Sequence, residues 1–296
     1  LKENVKLHKK TISFYGSIKK GLNTRLKGED IEKGQLLFDK GHLLRPQDMA
    51  LLISSGLHQI RCKKKLRLAL FSTGDEIFHL DKNLKLEEKS DMIFDVNRPM
   101  LHSLFLRWNI EVIDYGILED DHNKIIDKLR CASNQVDIIV TSGGVSTGDK
   151  DFISKILNDL GKLKIWRVAI KPGRPIAIGS FNKTPFFALP GNPVAAFVCS
   201  LIFLYPTFNS MLGRKDLLIM RYKLKSNFQK KKMKGRTEYL RGKINKKGSV
   251  DIFHSEGSGR ISSLTWSNGL IELEENTENI EIGDFINFIP YSFFQI

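Results

Sequence analysis

The stretch Val136–Asp151, VDIIVTSGGVSTGDKD, decides the fold. It opens on an apolar, β-branched run from Val136 to Thr141, which predicts a buried strand. Small residues follow, Ser142, Gly143, Gly144, Val145, Ser146, Thr147 and Gly148, and then the acids Asp149 and Asp151. An apolar-periodic segment starts at Phe152 and Ile153, so the acids stand where a helix begins. Strand, tight loop and helix N-terminus together suit an anion. Glycines let the backbone come close, successive N–H groups point inward, and the helix dipole favours negative charge. The acids suit another task, holding a divalent cation over the same anion. An ordinary strand–helix turn would also use Gly for its geometry and Asp for capping, so this loop leaves both readings open.

The surrounding chain repeats the pattern. Leu68 to Phe71 is a short apolar strand ended by Ser72-Thr73-Gly74-Asp75-Glu76. Asn97-Arg98-Pro99 starts a helix carrying Met100, Leu101, Leu104 and Phe105. Ile110 to Ile113 is a strand, and Glu119-Asp120-Asp121 precedes a helix with Ile125, Ile126 and Leu129. Ile165 to Ile170 and Phe186 to Leu189 are further strands. This alternation predicts a parallel-dominated α/β sheet covered on both faces. Ligands bind such sheets beyond the carboxyl ends of the strands. Gly74, Glu76, Asp120, the loop 142–151 and the turn Lys171-Pro172-Gly173-Arg174-Pro175 are all expected at that edge. Lys and Arg on a stiff turn suit phosphate or another oxyanion, although surface charges beside a proline turn look the same. In Pro190-Gly191-Asn192-Pro193, Asn192 suits an N-cap and Pro193 the first helical position. The backbone N–H groups there form a second candidate anion site. The helix is expected to reach Leu212, with Gly213 as its stop.

The flanks differ. Residues 1–30 read as a partial β domain, Val5 to Leu7 and Ile12 to Tyr15, too small to bury a core alone, so its partner strands are expected upstream of Leu1. Residues 31–65 read as a connecting α+β segment, with strand-like Leu36–Phe38 and Gln59–Cys62 and a helix from Pro46 to Ile53. Residues 66–212 form the α/β domain. Residues 213–296 read as a small all-β domain of short strands.

The 296 residues exceed one ordinary core, and 41% hydrophobic content is enough for several. The apolar run Val194–Tyr205 is too short for a membrane span and reads as a buried helix. Cys62, Cys131 and Cys199 are odd in number and far apart, and suit reduced core thiols of a cytoplasmic protein. A formal net charge of +14 attracts polyanions, but the lysines are spread out and lack interleaved aromatics. The charge thus suits an anionic small molecule or simply a solvated surface in a Lys-, Ile- and Asn-rich chain, and neither nucleic acid nor membrane is an expected partner.

The motifs together resemble a known family, the molybdopterin molybdenumtransferases, which includes MoeA and the gephyrin E domain. They are FSTGDE (Phe71–Glu76), DVNRPML (Asp95–Leu101), GILEDD (Gly116–Asp121), TSGGVSTGDKDF (Thr141–Phe152), IKPGRP (Ile170–Pro175) and ALPGNPVA (Ala188–Ala195), preceded by RLKGEDIEKGQLLFDKG (Arg25–Gly41). They stand in the family's order and cover nearly the whole chain. The resemblance implies insertion of molybdenum, supplied as molybdate, into adenylylated molybdopterin, with release of AMP and use of Mg²⁺. It implies that Ser142, Gly143, Gly144, Val145 and Ser146 hold the phosphate region, with Gly173, Pro190, Gly191, Asn192 and Pro193 among the binding residues. Lys171 and Arg174 would meet molybdate or phosphate. Glu76, Asp120 and Asp151 would serve as metal ligands in a metal-assisted hydrolysis, and Asp30 would approach from the neighbouring β domain. It further implies a homodimer in the complete protein, with a molybdopterin adenylyltransferase as a candidate partner. Three departures stand out. Arg174 replaces a frequent Lys, Ala195 replaces a frequent Ser, and the family's N-terminal portion, with the rest of the β domain and the dimer domain, has no counterpart in these residues, as expected either of a fragment or of a reduced protein. The alternative is a non-catalytic scaffold or molybdopterin-binding module of the same descent, for which three acids at one sheet edge would be unnecessary.

Overall fold

The computed structural model describes residues 2–16, 19–74, 76–79, 92–119, 121–145, 152–215, 217–255, 257 and 259–296. The chain divides into two compact units, Leu1–Cys62 and Lys63–Ile296.

In the second unit a six-stranded sheet is built from β1 (Arg67–Thr73), β2 (Glu111–Leu118), β3 (Ile138–Ser142), β4 (Lys162–Trp166), β5 (Ala177–Phe181) and β6 (Thr184–Leu189). Their spatial order is β2-β1-β3-β6-β5-β4. The first four are parallel neighbours, while β5 runs antiparallel to both β6 and β4. The helices are α1 (Asn97–Arg107), α2 (His122–Ser133), α3 (Phe152–Asp159), α4 (Pro193–Cys199) and α5 (Tyr205–Met211). Strand pleating sorts the apolar side chains into two cores. Leu68, Leu70, Ile138, Val140, Phe187 and Leu189 pack with α1, α4 and α5. Ala69, Phe71, Ile139, Phe186 and Ala188 pack with α2 and α3 on the other face. Strands buried on both sides read as continuous apolar runs, which is why they are conspicuous in the sequence.

The hairpin β5–β6 was not anticipated. Its turn, Asn182-Lys183, takes positive φ at both residues (48° and 68°) without a glycine to announce it. The strand expected over Ile165–Ile170 is instead two pieces, β4 and Ile170–Lys171, separated where Arg167 turns to φ 68°.

Pro193–Met211 is one continuous apolar helical segment of 19 residues, with mean hydropathy 1.6. By length and composition alone it could cross a membrane, but 61% of it is buried inside the fold. It is the core helix expected from the sequence. Ser200–Leu204 forms a π-type turn in it, and the Tyr205 N–H bonds to the Ser200 carbonyl. Pro206 follows directly. A proline removes one N–H and crowds the carbonyl four residues back, and a wide turn accommodates both effects. Gly213, at φ 83°, ends the segment.

The C-terminal strands are β7 (Tyr222–Lys225), β8 (Thr237–Ile244), β9 (Val250–Ile252), β10 (Gly269–Leu273) and β11 (Phe285–Pro290), in the order β7-β11-β10-β8-β9. A short helix, α6 (Ser262–Trp266), interrupts them. This sheet takes one strand from the α/β part, since Ile170–Lys171 pairs in parallel with Thr237 and Glu238.

In the first unit, Val5–Leu7 pairs with Ile12–Phe14, and a helix spans Pro46–Ser54. A two-stranded hairpin cannot bury its side chains, and Leu7 and Phe14 are exposed. Leu36–Phe38 and Gln59–Cys62, expected as strands, are irregular, because no neighbouring strand pairs with their backbone. Of the three cysteines only Cys199 is buried. Cys131 lies on α2 off its buried stripe of Ile125, Ile126, Leu129 and Ala132, and Cys62 lies in irregular chain. The expectation of three core thiols is therefore wrong for these two.

Candidate functional site

Parallel pairing brings the carboxyl ends of β1, β3 and β6 together. Ser72 is opposite Ser142, and Ser142 is opposite Leu189. The residues that follow each strand, Thr73-Gly74, Gly143-Gly144-Val145 and Pro190-Gly191-Asn192, therefore share one edge. Contact there is close. A Cβ on Gly143 (φ 92°) would lie 2.4 Å from the Thr73 carbonyl oxygen, and one on Gly191 would lie 3.8 Å from Gly143 Cα. At position 143 only glycine permits this approach, whereas the distance at Gly191 is ordinary contact. The Gly143 N–H donates to the Leu189 carbonyl at 3.0 Å, tying the first loop to the strand that feeds the second.

Asn97, the first residue of α1, joins the two loops. Its Nδ2 donates to Ser142 Oγ at 2.7 Å and to the Gly191 carbonyl at 2.6 Å. Ser142 is buried, and by accepting from Asn97 its hydroxyl keeps its own hydrogen for an acceptor, as contact with an anion requires. Val145 is buried in the core beside α3, so it can offer a ligand only backbone. Gly191 is exposed on the second loop. Asn192 occupies the N-cap position of α4 and Pro193 the first helical one, but the Asn192 side chain makes no capping bond. The capping expectation is thus met by the backbone only. Asn192 Oδ1 and Asn97 Oδ1 are both buried without a hydrogen-bond partner among the described residues.

Asn97 is held in place by its neighbours. Arg98 Nε donates to Asp95 Oδ2 at 2.9 Å and its Nη1 to Asp114 on β2 at 2.6 Å, while the Arg98 N–H bonds to Asp95 Oδ1. Arg98 Nη2 also lies 3.0 Å from His79 Nδ1, which must accept, because a guanidinium only donates. The motif DVNRP therefore encodes a buried ion network that fixes the start of α1 and one residue, Asn97, that points into the loops. Sequence reading treated it as a helix start. The polar run before Pro99 was the available signal.

The turn Lys171–Pro175 connects β4 to β5 at the same sheet edge. Gly173 is closed in, since a Cβ there would lie 2.5 Å from Cys199 Sγ. Burial pushes that thiol far above its usual range. Arg174 is exposed. Lys171 was expected to meet an anion directly. Its amine lies 3.1 Å from Glu238 Oε1, and Lys230 approaches Glu238 Oε2 at 3.4 Å. Glu238 is almost completely buried and no sequence pattern singled it out.

Glu76 is exposed, its carboxylate folded over Gly74, whose Cβ position would lie 2.8 Å from Glu76 Oε1. Glu119, at the end of β2, pairs with Lys124 at 2.6 Å, and that hydrogen bond holds its carboxyl below the usual range. Ser146, Asp120 and Asp151 lie outside the described residues, as do Asp75 and Asp149. Among the described residues no three His, Cys, Asp or Glu side chains gather as a metal-ligand group. Asp30 is exposed within the first unit.

Known proteins resemble this chain over most of its length. Residues 69–210 match a family described as "Probable molybdopterin binding domain", residues 2–56 the "MoeA N-terminal region (domain I and II)" and residues 223–291 the "MoeA C-terminal region (domain IV)". A molybdopterin molybdenumtransferase of Haemophilus influenzae is 33% identical over 292 residues, covering 95% of this chain and 70% of that protein. One from a Nostoc species is 31% identical, covering 86% of this chain and 60% of that protein. The crystal structure of the molybdopterin biosynthesis MoeA protein from Pyrococcus horikoshii superposes with a TM-score of 0.81 at 28% identity, over 98% of this chain and 70% of that one.

Proposed function

This chain belongs to the molybdopterin molybdenumtransferase family, and from that premise we propose that it inserts molybdenum into adenylylated molybdopterin and releases AMP. Its place in molybdenum cofactor biosynthesis follows from the family. One observation carries the finer reading: two glycine-bearing loops, 142–145 and 190–192, meet at one sheet edge and are bound to a single side chain, Asn97. Backbone N–H groups of both loops, with the Ser142 hydroxyl, would hold the phosphates of the substrate. The bond to be broken is the phosphoanhydride. Water adds at phosphorus and AMP departs, so the protein must hold both phosphates while charge redistributes between them. Arg174, exposed on its turn, would meet the oxyanion. Lys171 would face it with Glu238 as counter-ion.

Glu76, Asp120 and Asp151 are the proposed Mg²⁺ ligands. Three carboxylates are the hard oxygen donors this cation selects. When bound, it would polarise a phosphoryl oxygen. We keep the domain division 1–30, 31–65, 66–212 and 213–296 as part of this reading. A homodimer belongs to it as well, with Asp30 bordering the partner's cleft.

Asp151→Asn tests the reaction. Asn caps a helix about as well as Asp but lacks the charge that Mg²⁺ needs. The full-length variant is expected to melt like the parent while AMP release falls by roughly 100-fold or more. Unchanged AMP release would remove Asp151 from the site. Light scattering that shows only monomer at micromolar concentration would remove the dimer.

A further inference from the structure

Asn97 has a buried amide with one end fully used and the other unused. Nδ2 makes two short bonds, one to each candidate anion loop. The Gly191 carbonyl can only accept, so the amide orientation is fixed, and Oδ1 is left buried without a partner among the described residues. A buried unsatisfied acceptor is costly. A residue present only for stability would satisfy both ends or be apolar. The costly arrangement persists where one donor reaches both loops. Besides it, among the described residues, the Gly143 N–H holds the Leu189 carbonyl and the Gly191 Cβ position lies 3.8 Å from Gly143 Cα.

We propose that Asn97 is a positioning residue that sets the separation of the 142–145 and 190–192 loops, and so the grip on the substrate's phosphates. This rests on the function proposed above. It acts through Ser142 Oγ and the Gly191 carbonyl and does not itself touch the reacting atoms. Its removal should weaken substrate binding more than it slows chemistry, because the loops keep their glycine geometry but lose their fixed spacing.

The experiment compares the full-length parent with Asn97→Leu and Asn97→Asp in denaturant unfolding, calorimetric binding of AMP and steady-state AMP release. Asn97→Leu removes the orphan acceptor but also leaves Ser142 Oγ and the Gly191 carbonyl without their donor, so its midpoint can shift modestly either way, and the expected result is a raised KM and AMP binding weakened at least about tenfold. Asn97→Asp supplies a readout that simple packing would not move. Ionised, its carboxylate cannot donate to Gly191. Protonated, it can donate one bond, so its AMP affinity relative to the parent's at the same pH should recover as pH falls from about 8 towards the carboxyl range, the ratio cancelling the titration of AMP's own phosphate at about pH 6. A lowered midpoint with unchanged KM and AMP affinity would make Asn97 merely structural and overturn the proposal. So would a pH-independent defect in Asn97→Asp. A parent that binds AMP without turning over sinks the proposed reaction but leaves the binding comparison decisive. A parent that does not bind AMP sinks both.

Discussion

Arg98 shows what one side chain holds in place. Its side chain is 8% exposed, between Asp95 at 2% and Asp114 at 40%. Removing one member of a buried pair leaves an uncompensated charge, so Arg98→Met is expected to cost about 3–5 kcal/mol. Urea unfolding checks this, and a loss below about 1 kcal/mol would mean that water reaches Asp95. Asp114 adds a pH dependence. Burial pushes its carboxyl upward, but hydrogen bonds from Arg98 and from the Gly116 N–H outweigh this, and its folded value lies below the ordinary 3.8. A depressed carboxyl stabilises the fold above the unfolded-state value, and the contribution is lost as pH falls through the folded value. Asp114→Asn is therefore expected to flatten the decline of stability below about pH 4 and to leave the profile above pH 6 parallel to the parent's. An unaltered acid limb in that variant would show that other carboxylates carry it.

At the scale of elements, the strands and the glycine loops were legible because both-sided burial writes continuous apolar runs and tight turns need glycine. Asn97 and Glu238 were not legible. Their roles come from pairing between segments far apart in sequence, 45 residues for Asn97 with Ser142 and, for Lys171 with Glu238, the parallel register of Ile170–Lys171 against β8. Asn192 shows the converse. The local signal, Asn before Pro, places the helix start, but the tertiary setting takes its side chain out of capping duty. The β5–β6 hairpin was hidden because Asn182-Lys183 carries no glycine. Gly143 allows a test at this scale. With the Thr73 carbonyl 2.4 Å from the Cβ position and φ at 92°, Gly143→Ala must displace the loop. The strands are anchored by their own cores, so the far-UV spectrum should be retained. A misplacement near 1 Å is enough to cost roughly 100-fold in turnover. Turnover within twofold of the parent would show that loop 142–145 does not set the reaction geometry.

At the scale of the whole second unit, the α/β part and the C-terminal β part share one of their cores, while Leu240, Ile271, Leu273 and Phe288 of the C-terminal sheet pack in a core of their own. Tyr239, Leu270, Ile289, Tyr291 and Phe294 pack in the same cluster as Leu101, Phe105, Trp108, Val198 and Phe208. The Trp108 indole N–H donates to the Phe294 carbonyl at 2.7 Å, and Tyr205 meets the Phe294 ring edge-on with centroids 5.2 Å apart. The strand Ile170–Lys171 belongs by pairing to the C-terminal sheet and by sequence to the turn Lys171–Pro175. Two parts with separate cores would unfold in two steps, whereas a shared core ties their stabilities together. Phe294 is fully buried at the joint, and Phe294→Ala is expected to cost about 3–5 kcal/mol. The informative quantity is where that cost falls. If the core is one cooperative unit, hydrogen exchange should accelerate together in β1 and β3 of the α/β sheet and in β8 and β10 of the C-terminal sheet. Faster exchange confined to β8 and β10 would show that the C-terminal domain opens alone, and that the Lys171–Glu238 contact separates without cost to the α/β sheet.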